Sequence, residues 1–219
     1  SYAKKNCFGN FRHLICEIIK DPATLAYLDN EYSNKLAVNE NLARELMELF
    51  VLGEGNYEEK DIKEAARALT GFGFSNIQDG LKFHLSEWGH DKTKMELFGK
   101  RGNFDGFDLV NILFSQPAAS KHLTKKLWKY YISQSYTDEI EVAEIAKHFV
   151  ISDFEIPILL ADIFTSEGFW NDKNRGTVVK SPIDLIIGFT RTTGYPFESI
   201  GIIQNELSIM GQNIFEPPN

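Results

Sequence analysis

The sequence predicts a mainly α fold, a multi-helix orthogonal or bundle-like domain with a small β insert near residues 72–98. Apolar residues recur at helical spacing along most of the chain. Several of these segments also begin with a capping residue followed by proline, which is the usual chemistry of a helix start. Only between residues 72 and 98 does the pattern change to the alternation that is typical of strands.

The predicted helices follow one another along the chain. Asp21–Pro22 and Ser181–Pro182 are clear helix starts. The side-chain oxygen of Asp or Ser can accept a backbone N–H of the first turn. Proline has no backbone N–H, which costs nothing at the first helical position because that N–H has no partner within the helix. An apolar stripe from Ile62 to Leu69 predicts a helix over 58–70, ended by Gly71. Further apolar periods predict helices over 106–115, 117–133, 138–150, 154–167, 182–193 and 199–210.

The β insert is predicted from aromatic and apolar alternation. Phe72 and Phe74 alternate before Gln78-Asp79-Gly80, and Leu81, Phe83 and Leu85 alternate after it. Asp-Gly between two such runs is typical of a tight hairpin turn. We therefore expect a β-hairpin or a three-stranded element inside one helical domain that spans residues 1–219.

Composition narrows the classes of partner. The chain has 219 residues, of which 43% are hydrophobic, and a formal charge of −8. This negative charge opposes binding to nucleic acid unless a local basic patch overrides it. The one candidate patch is the lysine-rich helix face 121–129. The same lysine spacing is typical of an ordinary solvent-exposed helix face. The longest apolar runs, 156–161 and 185–189, are too short for a membrane span. We expect no nucleic-acid partner and no membrane span in this segment.

The segment 39–55 is the most informative part of the chain. At 100° per residue, Leu42, Leu46, Leu49 and Phe50 share one face, and Asn41, Arg44 and Glu48 form a polar stripe with Glu45 at its edge. Val51 and Leu52 then fall on the polar side. A surface helix would keep that side polar, so we expect this helix to be enclosed and its charges to be at least half buried.

Buried charges must be paired, and the stripe can supply its own partners. Glu40 with Arg44 and Arg44 with Glu48 have helical spacing. The short connection to helix 58–70 predicts a helical hairpin, which would bring Arg67 towards the stripe. The set is either a structural charge network of Glu40, Arg44, Glu45, Glu48 and Arg67, or a general acid/base site that uses Glu45 and Glu48.

Candidate ligands also lie in the β insert. His84, His90 and Asp91 could form a two-histidine, one-carboxylate metal site, but their spacing matches no defined zinc pattern. A simpler interpretation is a turn in which Asp91 caps local N–H groups and pairs with Lys94. Lys94 and the aromatic Trp88 are binding candidates. The sequence contains no glycine-rich phosphate loop with its following lysine, so we expect no cofactor. Because the spacing of His84, His90 and Asp91 matches no defined pattern, we also expect no metal.

Several sequence blocks resemble one bacterial family. These are NENLARELMELFVLGEGNYEEKDIKEAARALTGFGF at 39–74, His90-Asp91, GNFDGFD at 102–108, QPAASKHLTKKLWKYY at 116–131 and VKSPIDLIIGFTR at 179–191. They resemble the domain-of-unknown-function family numbered eighteen-hundred over nearly the whole chain. Glu58 and Phe72 depart from the threonine and the tryptophan that the family often has at these points.

The resemblance implies little chemistry. Members of that family have no settled activity, so no catalytic residue can be carried over. They are often exported bacterial proteins, encoded beside another uncharacterised exported family that is a possible protein partner. Members are longer at both ends, which implies that this chain is a fragment.

The sequence is consistent with two functional hypotheses. The first is a non-catalytic helical scaffold or protein-interaction domain of an exported bacterial system. The second is a hydrolase-type enzyme with a Glu/Arg/His site at the 39–71 helical hairpin, for which Glu45, Glu48, His90 and Asp91 are the candidate catalytic residues.

Overall fold

The structure is mainly α, as the sequence predicts. The computed structural model describes residues 6–77, 80–194 and 199–212. Within these ranges the α-helices are α1 (Phe11–Ile18), α2 (Pro22–Tyr27), α3 (Asn41–Glu45), α4 (Glu59–Ala68), α5 (Gly106–Phe114), α6 (Pro117–Tyr131), α7 (Glu139–Ile151), α8 (Ile156–Thr165), α9 (Glu167–Trp170), α10 (Pro182–Thr193) and α11 (Ile200–Ile209). Short 3-10 turns occupy Asn30–Tyr32 and Asp172–Asn174. None of the helices in the described ranges is long and apolar enough to cross a bilayer.

The proline-based helix starts are confirmed. The Asp21 carboxylate accepts the N–H of Ala23 at 2.8 Å, one residue beyond Pro22. At α10 the Ser181 hydroxyl accepts the N–H of Asp184 at 3.2 Å. Each side chain satisfies a backbone donor that the first helical turn leaves unpaired.

The β insert consists of two separate hairpins. Strands β1 (Phe72–Ile77) and β2 (Gly80–Leu85) pair antiparallel, with Phe72 opposite Leu85. Strands β3 (Met95–Leu97) and β4 (Lys100–Gly102) form the second pair. The insert therefore ends at Gly102, beyond the predicted limit of residue 98. In the predicted turn, Gln78 and Asp79 lie outside the described residues.

The segment after α3 is enclosed, and this expectation is confirmed. Val51 and Leu52 are 0% and 1% exposed, although helical spacing placed them on the polar side. They belong to a core that also contains Leu42, Leu46 and Ile62. The helix is surrounded on most sides because α4, α5 and α6 all pack against it.

The prediction for Leu49 was wrong, and a wider helical turn explains the error. Leu49 is 48% exposed. Residues Leu46–Val51 form a π-helical turn, in which the N–H of Leu52 donates to the carbonyl of Met47 at 2.8 Å, five residues earlier. A π turn holds more residues than an α turn, so each residue advances by less than 100°. The apolar face therefore shifts, which exposes Leu49 and buries Val51.

Candidate functional site: an arginine cluster between the helical hairpin and the 86–94 loop

The polar stripe of α3 pairs with α4 through one arginine. Arg44 Nη2 lies 2.7 Å from Glu59 Oε1, and Arg44 Nη1 lies 3.2 Å from Glu59 Oε2, so the guanidinium and the carboxylate form a bidentate ion pair. The predicted pair with Glu40 forms at 3.4 Å. The hydrogen bonds that Arg44 donates to Glu59 and the negative charges of Glu59 and Glu40 raise the pKa of Arg44 above its ordinary value, although burial opposes them.

The predicted pair between Arg44 and Glu48 is not formed. The Tyr57 hydroxyl donates to Glu48 Oε2 at 2.7 Å. Burial, the hydrogen bond to Glu48 and the negative charge of Glu48 raise the pKa of Tyr57 to about 12. Glu45 is half-buried and has neither a hydrogen-bond partner nor an ion-pair partner among the described residues. Glu45 and Glu48 are therefore not hydrogen-bonded to each other.

Arg67 lies in a second cluster, away from the stripe. Its Nε donates to Asp91 Oδ2 at 2.8 Å, and its Nη1 donates to both oxygens of Glu64 at 2.8 and 2.7 Å. Its Nη2 donates to the Thr93 hydroxyl and, at 3.2 Å, to the carbonyl of Lys94. The three nitrogens of the guanidinium therefore donate to five acceptor atoms. We call Glu64, Arg67, Asp91 and Thr93 the Arg67 cluster.

Of the five residues of the expected charge network, only Glu40 and Arg44 are paired with each other. Arg44 joins α3 to α4, whereas Arg67 joins α4 to the loop that follows β2. The two arginine contacts lie at opposite ends of α4: Glu59 is its first residue, whereas Arg67 is in its last turn. The chain reverses at Gly71 and brings residues 86–94 back to the end that carries Arg67. Sequence spacing within α3 and α4 does not show this return.

Gly71 makes the return possible. Its φ of +78° is a conformation that favours glycine. A Cβ at this position would lie 2.7 Å from the carbonyl oxygen of Ser86 and 2.9 Å from the backbone nitrogen of His90. The backbone of the 86–90 loop thus packs directly on the end of α4.

Thr70 and His90 complete this junction. The Thr70 hydroxyl donates to the carbonyl of Arg67 at 2.6 Å and accepts the N–H of Asp91 at 2.8 Å. The His90 Nδ1 lies 3.0 Å from the carbonyl of Thr70. His90 is therefore anchored to backbone at the end of α4.

Asp91 is the central acceptor of the Arg67 cluster. It caps the N–H of Thr93 at 2.9 Å, as the sequence predicts for a turn, but its ionic partner is Arg67 and not Lys94. Burial is the largest single influence on its pKa and opposes ionisation. The hydrogen bonds from Arg67 and from the hydroxyl and N–H of Thr93, with the charge of Arg67, outweigh burial and lower the pKa of Asp91 to about 2.

The two binding candidates from the sequence lie outside this cluster. The Lys94 side chain is exposed, and only its carbonyl contacts Arg67. Trp88 is 68% exposed, and the ammonium group of Lys35 lies 5.1 Å from the centre of its ring. Within the described ranges no group of three or more His, Cys, Asp or Glu side chains is arranged to hold a metal ion.

A shallow depression of about 430 Å³ opens beside the Arg67 cluster. Its walls include Lys60, Lys94, Glu96 and Arg101 in addition to Glu64 and Arg67. Arg101 and Glu96 are paired at 2.6 Å across β3 and β4. The side chains that line the depression carry both positive and negative charges. Arg67 is one of them, and its nitrogens already donate to acceptors of the protein.

Sequence reasoning missed one further set of contacts. The His122 Nε2 lies 3.1 Å from the carbonyl oxygen of Leu49, and Lys126 Nζ donates to the same oxygen at 2.7 Å. Burial lowers the pKa of His122. These two side chains of α6 occupy the end of the π turn, where backbone carbonyls lack helical partners. The lysine spacing on α6 suggested only a solvated face, so no signal in the sequence pointed to this role.

The chain matches one known family. Residues 2–219 match the family described as Protein of unknown function (DUF1800). No curated protein and no solved structure matches the chain.

Proposed function

The chain belongs to the DUF1800 family of proteins of unknown function, and from that premise we propose that it is a non-catalytic helical scaffold of an exported bacterial system. The Arg67 cluster holds the helical hairpin to the 86–94 loop in this scaffold. The proposal rests on one observation: each of the three guanidinium nitrogens of Arg67 donates to acceptors in the protein itself.

Three of the four candidate catalytic residues, Glu48, His90 and Asp91, have contacts that support the scaffold over the hydrolase. A general acid or base works best with a pKa near the operating pH, whereas the pKa of Asp91 is lowered to about 2. Glu48 is engaged by the Tyr57 hydroxyl, and His90 by a backbone carbonyl. Each group is used in holding two elements together.

A thermal unfolding experiment separates the two functions. Arg67 and Asp91 are 23% and 13% exposed at their side chains, so Arg67→Ala leaves two carboxylates partly buried without their partner. We expect a loss of about 2–4 kcal/mol, or roughly 4–16 °C in melting temperature. Arg101→Ala is the matched control, because Arg101 is 80% exposed and among the described residues forms one ion pair, with Glu96. The melting temperature of this variant should change by less than about 2 °C.

The opposite result has a clear meaning. Residues that are kept for activity usually tolerate substitution or gain stability when they are replaced. An unchanged or raised melting temperature for Arg67→Ala would count against the scaffold role and in favour of a site.

A further inference from the structure

Helix α10 is apolar, yet none of its 12 residues is buried. Its apolar side chains include Leu185, Ile187 and Phe189, which are 55%, 42% and 57% exposed. A helix that carries apolar residues on most of its circumference needs protein around it. Among the described residues, α10 lacks such cover.

One side of α10 faces the rest of the protein. At 100° per residue, Ile183, Ile186 and Thr190 lie on this inner side, and all three are half-buried. The N–H of Ile183 donates to Gln212 Oε1 at 2.9 Å, just beyond the end of α11. The inner side is therefore already used by the fold.

The opposite side of α10 is open. Leu185, Gly188, Phe189 and Thr192 have the i, i+3, i+4 and i+7 spacing of a single helix face. Leu185, Phe189 and Thr192 are exposed, and a Cβ added to Gly188 would have no atom within 4 Å. This side of the helix therefore has a large apolar ring next to a position where another backbone can approach closely.

Two opposite charges border the open side. Asp184 and Arg191 are both exposed, and a separation of seven residues places them nearly in line along the helix, about 10 Å apart. Asp184 accepts the Ser181 hydroxyl at 2.8 Å, whereas Arg191 has neither a hydrogen-bond partner nor an ion-pair partner among the described residues. We call these two residues, together with the four on the open side, the open face of α10.

The open face is complementary to itself. If a second copy of α10 lies antiparallel on it about a two-fold axis, Asp184 of each copy faces Arg191 of the other. The same axis places Phe189 of each copy beside Gly188 of the other, where no Cβ obstructs the ring. The midpoints of these two pairs differ by one residue, about 1.5 Å along the helix, which a flexible arginine side chain can span.

We propose that the open face of α10 binds a second copy of this chain in an antiparallel, two-fold symmetric contact. One acidic and one basic group leave the face without net charge, so it favours neither an anionic nor a cationic partner, whereas a copy of itself satisfies both groups. At about 200 Å² for a large side chain, the exposed parts of Leu185, Phe189 and the adjoining Ile187 amount to about 300 Å². The polar groups of the face bring the buried area to about 500 Å² per copy, or about 1,000 Å² in total, the lower limit of a specific interface. The dimer is therefore weak and depends on concentration.

This proposal is independent of the scaffold role. All residues of the open face are in α10, whereas the Arg67 cluster is formed by α4 and the 86–94 loop. The melting temperature of Arg67→Ala tests the scaffold, and self-association tests the open face. Failure of one proposal therefore leaves the other intact.

Sedimentation equilibrium of the whole chain, from about 5 to about 500 μM, measures the association. We expect the apparent mass to rise over this range from that of one chain towards that of two. Phe189→Ala should weaken the association about tenfold, because its ring is the largest apolar group of the open face. Ile140→Ala is the matched control, because Ile140 is 76% exposed but lies on α7, outside the open face. This variant should associate like the unmodified protein.

A pair of charge reversals tests the two-fold arrangement. In Asp184→Arg and in Arg191→Asp, like charges face each other at both charged contacts, so each variant alone should remain monomeric up to about 500 μM. In an equimolar mixture, opposite charges meet at both contacts of the mixed dimer, and its affinity should return to within about twofold of that of the unmodified protein. Recovery on mixing would also show that both variants are folded.

Three results would each overturn the proposal. The first is an unmodified chain that stays monomeric over the whole concentration range. The second is an Ile140→Ala variant that loses as much association as Phe189→Ala. The third is a mixture of the two charge variants that associates no more than either variant alone.

Discussion

Asp91 should make the stability of this protein depend on acid in a specific way. Its pKa is about 2 in the folded protein against an ordinary value of 3.8. At about 1.4 kcal/mol per pKa unit, the ionised carboxylate contributes about 2 kcal/mol to the free energy of unfolding. Because the folded pKa is the lower one, this contribution is complete well above pH 3.8 and is lost as the pH falls through 2.

The variant Asp91→Asn removes the titrating group and keeps its shape. We expect it to be about 2 kcal/mol less stable than the unmodified protein at pH 7, about 1 kcal/mol less stable at pH 3, and within about 0.5 kcal/mol of it at pH 2. Urea unfolding at pH 7, 5, 4 and 3 measures the difference. Glu54→Gln is the control, since Glu54 is an exposed loop carboxylate, and its difference should stay near zero throughout. If the difference for Asp91→Asn were the same at pH 7 and pH 3, the ionised Asp91 carboxylate would not be the source of the lost stability.

Two further predictions concern the π turn and the loop after it. Gly53→Ala should lower the free energy of unfolding in urea by about 2–4 kcal/mol, because φ is +82° and the new Cβ would lie 2.5 Å from the His122 ring. Gly55→Ala is the control: φ is +80° and nothing lies within 4 Å, so only the cost of the backbone conformation remains, about 1 kcal/mol. An equal loss for both variants would contradict the contact with His122. Tyr57→Phe should cost about 1–2 kcal/mol by removing the only donor that Glu48 has among the described residues, and an unchanged midpoint of unfolding would contradict that role.

Local signals in the sequence were enough for most of the fold. Asp21–Pro22 and Ser181–Pro182 fix helix starts because the chemistry that caps a helix lies within three residues of the cap. The burial of Val51 and Leu52 was also predictable, because apolar residues all round a helix require protein around it.

The site was less predictable, for two physical reasons. The π turn changes the angle per residue, so a calculation at 100° steps misplaces Leu49 even though the segment is helical. The decisive ionic contacts also join residues far apart in sequence: Arg67 and Asp91 are separated by 24 positions, and Arg44 and Glu59 by 15. Spacing within one helix reports only partners three or four residues away.

The most direct test of the account is a double-mutant cycle between Arg67 and Asp91. If these two side chains join the helical hairpin to the 86–94 loop, the losses of stability in Arg67→Ala and Asp91→Ala should not add. The double variant should be more stable than the sum of the two losses predicts by about 1–3 kcal/mol. A coupling energy near zero, with each single loss fully additive in the double variant, would contradict the claim that the Arg67 cluster holds the two elements together.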